Sequence, residues 1–110
     1  MVNKVIVADD DKDFRETQIA VLRRFCRNKE IDAEFDEASD GEELVNKVLQ
    51  SQYDLIFTDN EMPKINGLRA IKELREKGQA IPIYMISGSD VSEVALGLGA
   101  TGYIPKNNFE

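Results

Sequence analysis

Residues 5–11 read Val-Ile-Val-Ala-Asp-Asp-Asp, so that three acidic residues directly follow a continuous apolar run. An apolar run without polar alternation is typical of a strand that is buried on both faces of a parallel sheet. In open α/β sheets, ligands bind beyond the carboxyl ends of the strands. This stretch therefore predicts both the fold class and the place of a functional site.

Strand-like and helix-like segments alternate along the rest of the chain, with no linker, repeat or low-complexity stretch between them. Further strands are predicted at 31–35, 55–58, 81–86 and 102–104. Helices are predicted at 11–27, 44–49, 68–78 and 92–98. Right-handed crossovers make this βαβαβαβαβ order a doubly wound α/β sheet.

The first helix has a spacing that places a set of mainly apolar residues on one side. Those residues are Phe14, Gln18, Val21, Leu22 and Phe25. In the second strand, by contrast, Ile31, Ala33 and Phe35 alternate with acidic residues, which predicts an edge strand with one wet face.

The composition is that of one globular domain covering 1–110, because 110 residues suffice for one modest core. A formal net charge of −7 argues against binding to nucleic acid or anionic membranes, which requires Lys and Arg. The single Cys26 fits a reducing cytosol, and no stretch approaches transmembrane length. Histidine is absent, which excludes histidine-based catalysis and any phosphohistidine carrier role for this chain.

Chemically active residues are predicted to meet at the carboxyl edge of the sheet. The expected strand order, 2-1-3-4-5, is borrowed from known doubly wound proteins. In this order the first and third strands are neighbours, so Asp9, Asp10 and Asp59 converge although about fifty residues separate them. Ser87 ends the fourth strand, and Lys106 follows the fifth.

Carboxylates held close together repel one another, so that such a cluster must gain a proton or a cation. Mg²⁺ suits oxygen ligands and commonly recruits a phosphate oxygen as well. Lys106 and the hydroxyl of Ser87 are placed to neutralise and bind further phosphoryl oxygens. The Asp59 carboxylate would then be the attacking group and would form an aspartyl phosphate.

These motifs resemble those of the response-regulator receiver domains of two-component systems. The resemblance is carried by the residues 5–11, 53–63, 66–68, 81–88 and 99–106, and it covers nearly the whole chain. It implies a flavodoxin-like five-stranded sheet and a phospho-switch that depends on Mg²⁺.

The resemblance also implies individual roles. Asp9 and Asp10 would be the acidic pair that serves Mg²⁺, and Asp59 would be the phosphoacceptor and a third ligand. The backbone carbonyl of Glu61 would supply another oxygen. Ser87 occupies the switch-hydroxyl position, Lys106 the phosphate-binding position, and Tyr103 that of the aromatic residue that turns inward on activation.

The sequence departs from the family near Lys106. In receivers a proline directly follows this lysine in a cis bond, whereas here Asn107 follows it and Pro105 precedes it. A cis bond without proline costs about 2.5–4 kcal/mol, so the turn is expected to differ and to misplace the lysine. The segment 87–106 is also about one helical turn shorter than in receivers, so the fourth helix is expected to be short.

Four residues follow Lys106, so the usual fifth helix is expected to be missing or truncated. Without it, one sheet face would expose an apolar patch of a few hundred Å², a size that tends to mark an interaction site. A second copy, a partner or downstream sequence would cover this patch.

The sequence thus predicts a cytoplasmic signalling module rather than a turnover enzyme. A histidine kinase or phosphotransfer protein would donate the phosphate, and output would pass through protein contacts. Two alternatives stay open. One is a degenerate receiver that binds partners without phosphate. The other is a small aspartate-nucleophile phosphohydrolase, because Asp9-x-Asp11 follows a buried strand; against it, Asp13 stands where Thr or Val is expected.

Overall fold

The computed structural model describes residues 2–109, in which five strands alternate with four α-helices. The strands are β1 (Asn3–Ala8), β2 (Ala33–Ala38), β3 (Leu55–Thr58), β4 (Ile83–Ser87) and β5 (Gly102–Pro105). The helices are α1 (Lys12–Asn28), α2 (Gly41–Gln50), α3 (Gly67–Glu76) and α4 (Ser92–Gly97), and a short 3₁₀ helix (Lys106–Phe109) follows β5. Met1 and Glu110, which belong to the predicted domain 1–110, lie outside the described residues.

All strand pairs are parallel, and the strand order is β2-β1-β3-β4-β5. The predicted doubly wound sheet is thereby confirmed, together with the neighbouring positions of β1 and β3. The continuous apolar run 5–8 is buried along its whole length because β1 has a strand on each side and helices on both faces. Sequence order reverses between β1 and β3, which places a crevice at their carboxyl ends.

Successive side chains of β1 point to opposite faces of the sheet and enter two separate cores. Ile6 and Ala8 join a core that α2, α3 and α4 cover. Val5 and Val7 join a smaller core under α1, which Ile19 and Phe57 complete. The sheet therefore lies between two unequal helical layers.

The helix α1 begins after Asp11, whose side chain accepts a hydrogen bond from the backbone N–H of Phe14 at 3.1 Å. The prediction of which α1 residues face the sheet is only partly correct. Gln18 is buried, but Val21 and Phe25 are 46% and 55% exposed. Phe25 lines an apolar groove that α1 leaves open on this face of the sheet.

Several strand boundaries also differ from the prediction. The edge strand β2 begins at Ala33, because its pairing with β1 starts at Asn3↔Ala33, and Ile31 before it is 41% exposed. The strand β4 begins at Ile83 rather than at residue 81, because Pro82 has no N–H to donate. It ends at Ser87. The six-residue α4 agrees with the predicted shortening of the fourth helix.

An apolar groove of about 380 Å³ opens on the α1 face of the sheet. We call it the α1 groove. Its apolar lining residues include Leu22, Phe25, Ile31, Phe35 and Leu55. Among residues 2–109, no helix combines the length and the apolar character needed to cross a membrane.

Candidate functional site at the carboxyl edge of the sheet

The carboxylates of Asp9, Asp10 and Asp59 meet at the ends of β1 and β3. Ala8 and Thr58 are paired in register, and the N–H of Asp59 donates to the carbonyl of Ala8 at 2.9 Å. One carboxylate oxygen from each of the three residues lies within 4.8 Å of the others. The predicted convergence of these residues is therefore present in the structure, and we call it the acidic cluster.

Within the acidic cluster, Asp9 is completely buried. Its Oδ1 accepts a hydrogen bond from the backbone N–H of Asp11 at 2.9 Å. Its Oδ2 lies 3.2 Å from Nε2 of Gln18 and 3.2 Å from Nζ of Lys106. A buried charge is tolerated only when it is paired and hydrogen-bonded, and Asp9 meets both conditions.

The side chain of Asp59 is held in a similar way and is 6% exposed. Its Oδ1 accepts from the backbone N–H of Asn60 at 2.8 Å, and its Oδ2 lies 3.3 Å from Nζ of Lys106. Burial and the nearby charge of Asp9 raise the pKa of Asp59, and these effects outweigh the opposing influence of Lys106. The three carboxylates of the acidic cluster also outnumber the ammonium group of Lys106, which contacts two of them.

Gly67 lets the first turn of α3 approach the acceptor strand closely. A Cβ atom at this position would lie 2.1 Å from the carbonyl oxygen of Asp59 and 2.9 Å from the methyl group of Met85. The N–H of Gly67 donates to the carbonyl of Asn60 at 2.8 Å. This contact fixes the loop after β3 against α3, and with it the backbone that carries Asp59.

Lys106 reaches the acidic cluster from the end of β5. The expected misplacement of this lysine is wrong, since its Nζ lies 3.2–3.3 Å from Asp9 and Asp59. Pairing of Ser87 with Pro105 brings the end of β5 to the site without any cis peptide bond among residues 2–109. Burial alone would lower the pKa of Lys106, but the charges of Asp59 and Asp9 raise it overall. Its ammonium group also lies 4.4 Å from the ring centroid of Phe14.

Ser87 ends β4, Tyr103 lies in β5, and both contact the β4–α4 loop. Ser87 is buried, and its Oγ accepts from the N–H of Ser89 at 3.1 Å. The hydroxyl of Tyr103 lies 2.6 Å from the carbonyl oxygen of Ser89 and 3.2 Å from that of Ser87. Tyr103 is half-buried, and it connects β5 to the loop that follows the predicted switch serine.

Glu61 lies in the loop after the acceptor and is exposed. Its carboxylate accepts a hydrogen bond from the hydroxyl of Ser89 at 2.5 Å and is not one of the three carboxylates of the acidic cluster. This contact joins the β3–α3 and β4–α4 loops across the site. The role that the sequence assigned to the backbone carbonyl of Glu61 stays a prediction.

Three contacts of the site were not predicted from the sequence. They are the amide of Gln18 on Asp9, the ring of Phe14 beside Lys106, and the hydrogen bond between Ser89 and Glu61. For Gln18 the sequence contained a signal, because a polar residue occupied the otherwise apolar side of the first helix. The other two contacts join segments that are distant in sequence, and no local pattern indicates them.

Comparison with known proteins agrees with this geometry. Residues 5–109 match the response regulator receiver domain family. Response regulator MprA of Mycolicibacterium vanbaalenii is 34% identical over 106 residues, which are 94% of this chain and 43% of that protein. The chain thus spans less than half the length of the curated relatives it matches.

Solved structures show the same fold. Response regulator protein TrrA of Thermotoga maritima, solved in complex with Mg²⁺-BeF, aligns with a TM-score of 0.82 and 29% identity over 94% of this chain and 86% of that one. Chemotaxis response regulator CheY4 of Vibrio cholerae aligns with a TM-score of 0.83 and 26% identity over 96% and 88%. The chain belongs to the receiver domain family of two-component response regulators, and it is a signalling module of that type.

Proposed function

We propose that this domain, predicted to cover residues 1–110, is the phosphoacceptor of a two-component system and is phosphorylated on Asp59. The observation that carries the proposal is the meeting of three carboxylates with one lysine at the carboxyl edge of the sheet. Such a set of charges suits a phosphoryl group, whose transfer is catalysed mainly by positioning and charge neutralisation.

In the proposed reaction an oxygen of the Asp59 carboxylate attacks the phosphorus of a phosphohistidine. The phosphorus–nitrogen bond breaks, and its electron pair returns to the imidazole of the donor. Lys106 is already within 3.3 Å of Asp59 and would neutralise one phosphoryl oxygen. The hydroxyl of Ser87 would donate to another oxygen after turning away from the N–H of Ser89.

The donor set of the acidic cluster fits Mg²⁺, which prefers hard oxygen ligands and retains several waters. Asp9, Asp10 and Asp59 would hold the ion, with the backbone carbonyl of Glu61 as a further ligand. The ion would offset the negative charge of the carboxylates and of the incoming phosphoryl group. TrrA of Thermotoga maritima, solved with Mg²⁺-BeF, supports this assignment by its similarity.

The signal would leave the site through the β4–α4 loop. When the hydroxyl of Ser87 moves to the phosphoryl group, the loop carbonyls that Tyr103 contacts move with it. Tyr103 would follow the loop and alter the surface formed by α4 and β5. Output then depends on protein contacts at that surface.

A cognate histidine kinase or phosphotransfer protein is the proposed phosphate donor, and a downstream protein is the proposed target. The cytoplasmic location and the absence of nucleic-acid binding and of enzymatic turnover stay predictions. Cover of the apolar patch that the sequence predicts on one sheet face, by a second copy, a partner or downstream sequence, also stays a prediction. Sedimentation velocity combined with an apolar dye tests it: a monomer that binds no dye would contradict it.

Labelling with a small phosphodonor and Mg²⁺ tests the proposed acceptor. Intact mass should show one phosphoryl group on the wild-type protein and none on Asp59→Asn. Asp54→Asn is a suitable control, because Asp54 is an exposed acid at the opposite end of β3 and should leave labelling unchanged. Absence of labelling in the wild type would favour a degenerate receiver, and turnover of a generic phosphate ester would favour a phosphohydrolase.

A further inference from the structure

Gln18 is a buried polar residue whose side chain contacts the acidic cluster. It is 2% exposed and belongs to α1, beside the apolar core that Ile19 and Val7 help to form. A buried amide without a partner costs a few kcal/mol, whereas an apolar side chain of similar size would pack there without that cost. Its Nε2 donates to Oδ2 of Asp9 at 3.2 Å.

Gln18 differs from Lys106, the other side chain that binds this oxygen of Asp9. Lys106 also contacts Asp59. In the proposed function, its ammonium group also neutralises an oxygen of the phosphoryl group. Gln18 has no such second partner in the cluster, and it carries no charge. It can therefore hold Asp9 in one orientation whether or not the site is phosphorylated.

We propose that Gln18 is a positioning residue that fixes the Asp9 carboxylate for cation binding. The inference rests on the proposed function and deepens it. Hydrogen bonds from residues behind a metal ligand set the orientation of that ligand, and their loss typically costs about 10–100-fold in metal affinity. Asp9 depends on such orientation because its other oxygen is already occupied by the N–H of Asp11.

Gln18→Met tests this role, because methionine keeps the length and the helix preference of glutamine but has no donor. Isothermal titration calorimetry should show Mg²⁺ affinity about 10-fold weaker or more than in the wild type. Ca²⁺ affinity should fall less, because Ca²⁺ accepts flexible coordination whereas Mg²⁺ demands a near-ideal octahedron. A change in the ratio of the two affinities is a readout that simple destabilisation of α1 would not produce.

Ile19→Val is the matched control, since it trims the neighbouring buried residue of α1 without a contact to Asp9. It should leave both affinities unchanged. Gln18→Leu serves as a second substitution should Gln18→Met prove unfolded by circular dichroism. Equal Mg²⁺ affinities in wild type and Gln18→Met, or an equal loss for Mg²⁺ and Ca²⁺, would overturn the inference alone. Absence of Mg²⁺ binding by the wild type would overturn the proposed function together with it.

Discussion

At the acidic cluster, the charged residues Asp9 and Asp59 are 0% and 5% exposed, whereas the apolar residue Phe25 at the α1 groove is 55% exposed. Both regions are exceptions to the usual pattern of burial. The acidic cluster buries charge, and the α1 groove leaves apolar surface exposed to water. Buried charge is relieved by a cation, and exposed apolar surface is relieved by contact with another apolar surface. The two regions are therefore suited to different classes of ligand.

The largest effect is expected at the ion pairs of Lys106. Replacing it in Lys106→Met leaves the buried carboxylate of Asp9 without its cation, and loss of one partner of a buried pair costs about 3–5 kcal/mol. The side chain of Lys106 is 25% exposed. Solvent screening therefore reduces the expected loss to about 2–3 kcal/mol in the metal-free protein. Urea denaturation measures it.

Lys12→Met is the control for this prediction. Its ion pair with Glu16 lies on the surface of α1, with side chains that are 75% and 57% exposed. Such pairs contribute about 0–1 kcal/mol. If Lys106→Met and Lys12→Met lowered the free energy of unfolding by similarly small amounts, the charges of the acidic cluster would be exposed to solvent rather than buried.

The second-largest effect is expected from the binding of Mg²⁺ to the acidic cluster. Mg²⁺ should raise the free energy of unfolding by about 2.7 kcal/mol at a hundredfold excess over its dissociation constant, because it binds only the folded cluster. Asp10→Asn should remove most of this gain. Thermal melts with and without Mg²⁺ measure it. Asp13→Asn, which neutralises an exposed acid outside the cluster, should keep the stabilisation by Mg²⁺. If Asp10→Asn also kept this stabilisation, the cation would bind elsewhere.

The third effect is the pH dependence of stability. Because burial and the charge of Asp9 raise the pKa of Asp59 above its ordinary value, ionised Asp59 destabilises the metal-free fold. Asp59→Asn should therefore be more stable than the wild type near pH 7. Its advantage should shrink as the pH falls through the raised pKa, since protonated Asp59 is also neutral. Melts across pH without Mg²⁺ test this, and an advantage that grows on acidification would contradict it.

The smallest effect on stability is expected at the α1 groove. Phe25→Ser should change the free energy of unfolding by about 0.5 kcal/mol or less, because exposed positions contribute little. It should nevertheless reduce the fluorescence of an apolar dye. Leu49→Ser on α2, whose parent residue is 41% exposed outside the groove, should leave the dye signal nearly unchanged. Equal dye binding by the wild type and Phe25→Ser would mean that the groove does not accept apolar ligands.

Most of the fold could be predicted because its signals are local. The apolar run 5–8 and the change of period after Asp11 are enough to indicate a parallel sheet with crossover helices. The boundary near Ile31 was predicted less well, because a strand begins where its neighbour offers a hydrogen-bond partner. That partner lies elsewhere in the chain, so the local sequence does not specify it.

The acidic cluster was predictable for a related reason. Once Asp9 and Asp59 are assigned to the ends of parallel strands, a strand order in which those strands are neighbours brings them together. Lys106 was harder to place, because the order of Pro105 and Asn107 argued for a different turn. Pairing of β5 with β4 decides its position instead, since strand register carries the residue after Pro105 to the site.

The alternation of strands and helices and the residue types at each strand end follow from the sequence, because both depend on periodicity and on neighbouring residues. The donors around Asp9, the hydrogen bond between Glu61 and Ser89, and the exposure of Phe25 follow from tertiary packing instead. These features depend on distances between segments that are far apart in the chain, and such distances are fixed only when the helices pack on the sheet.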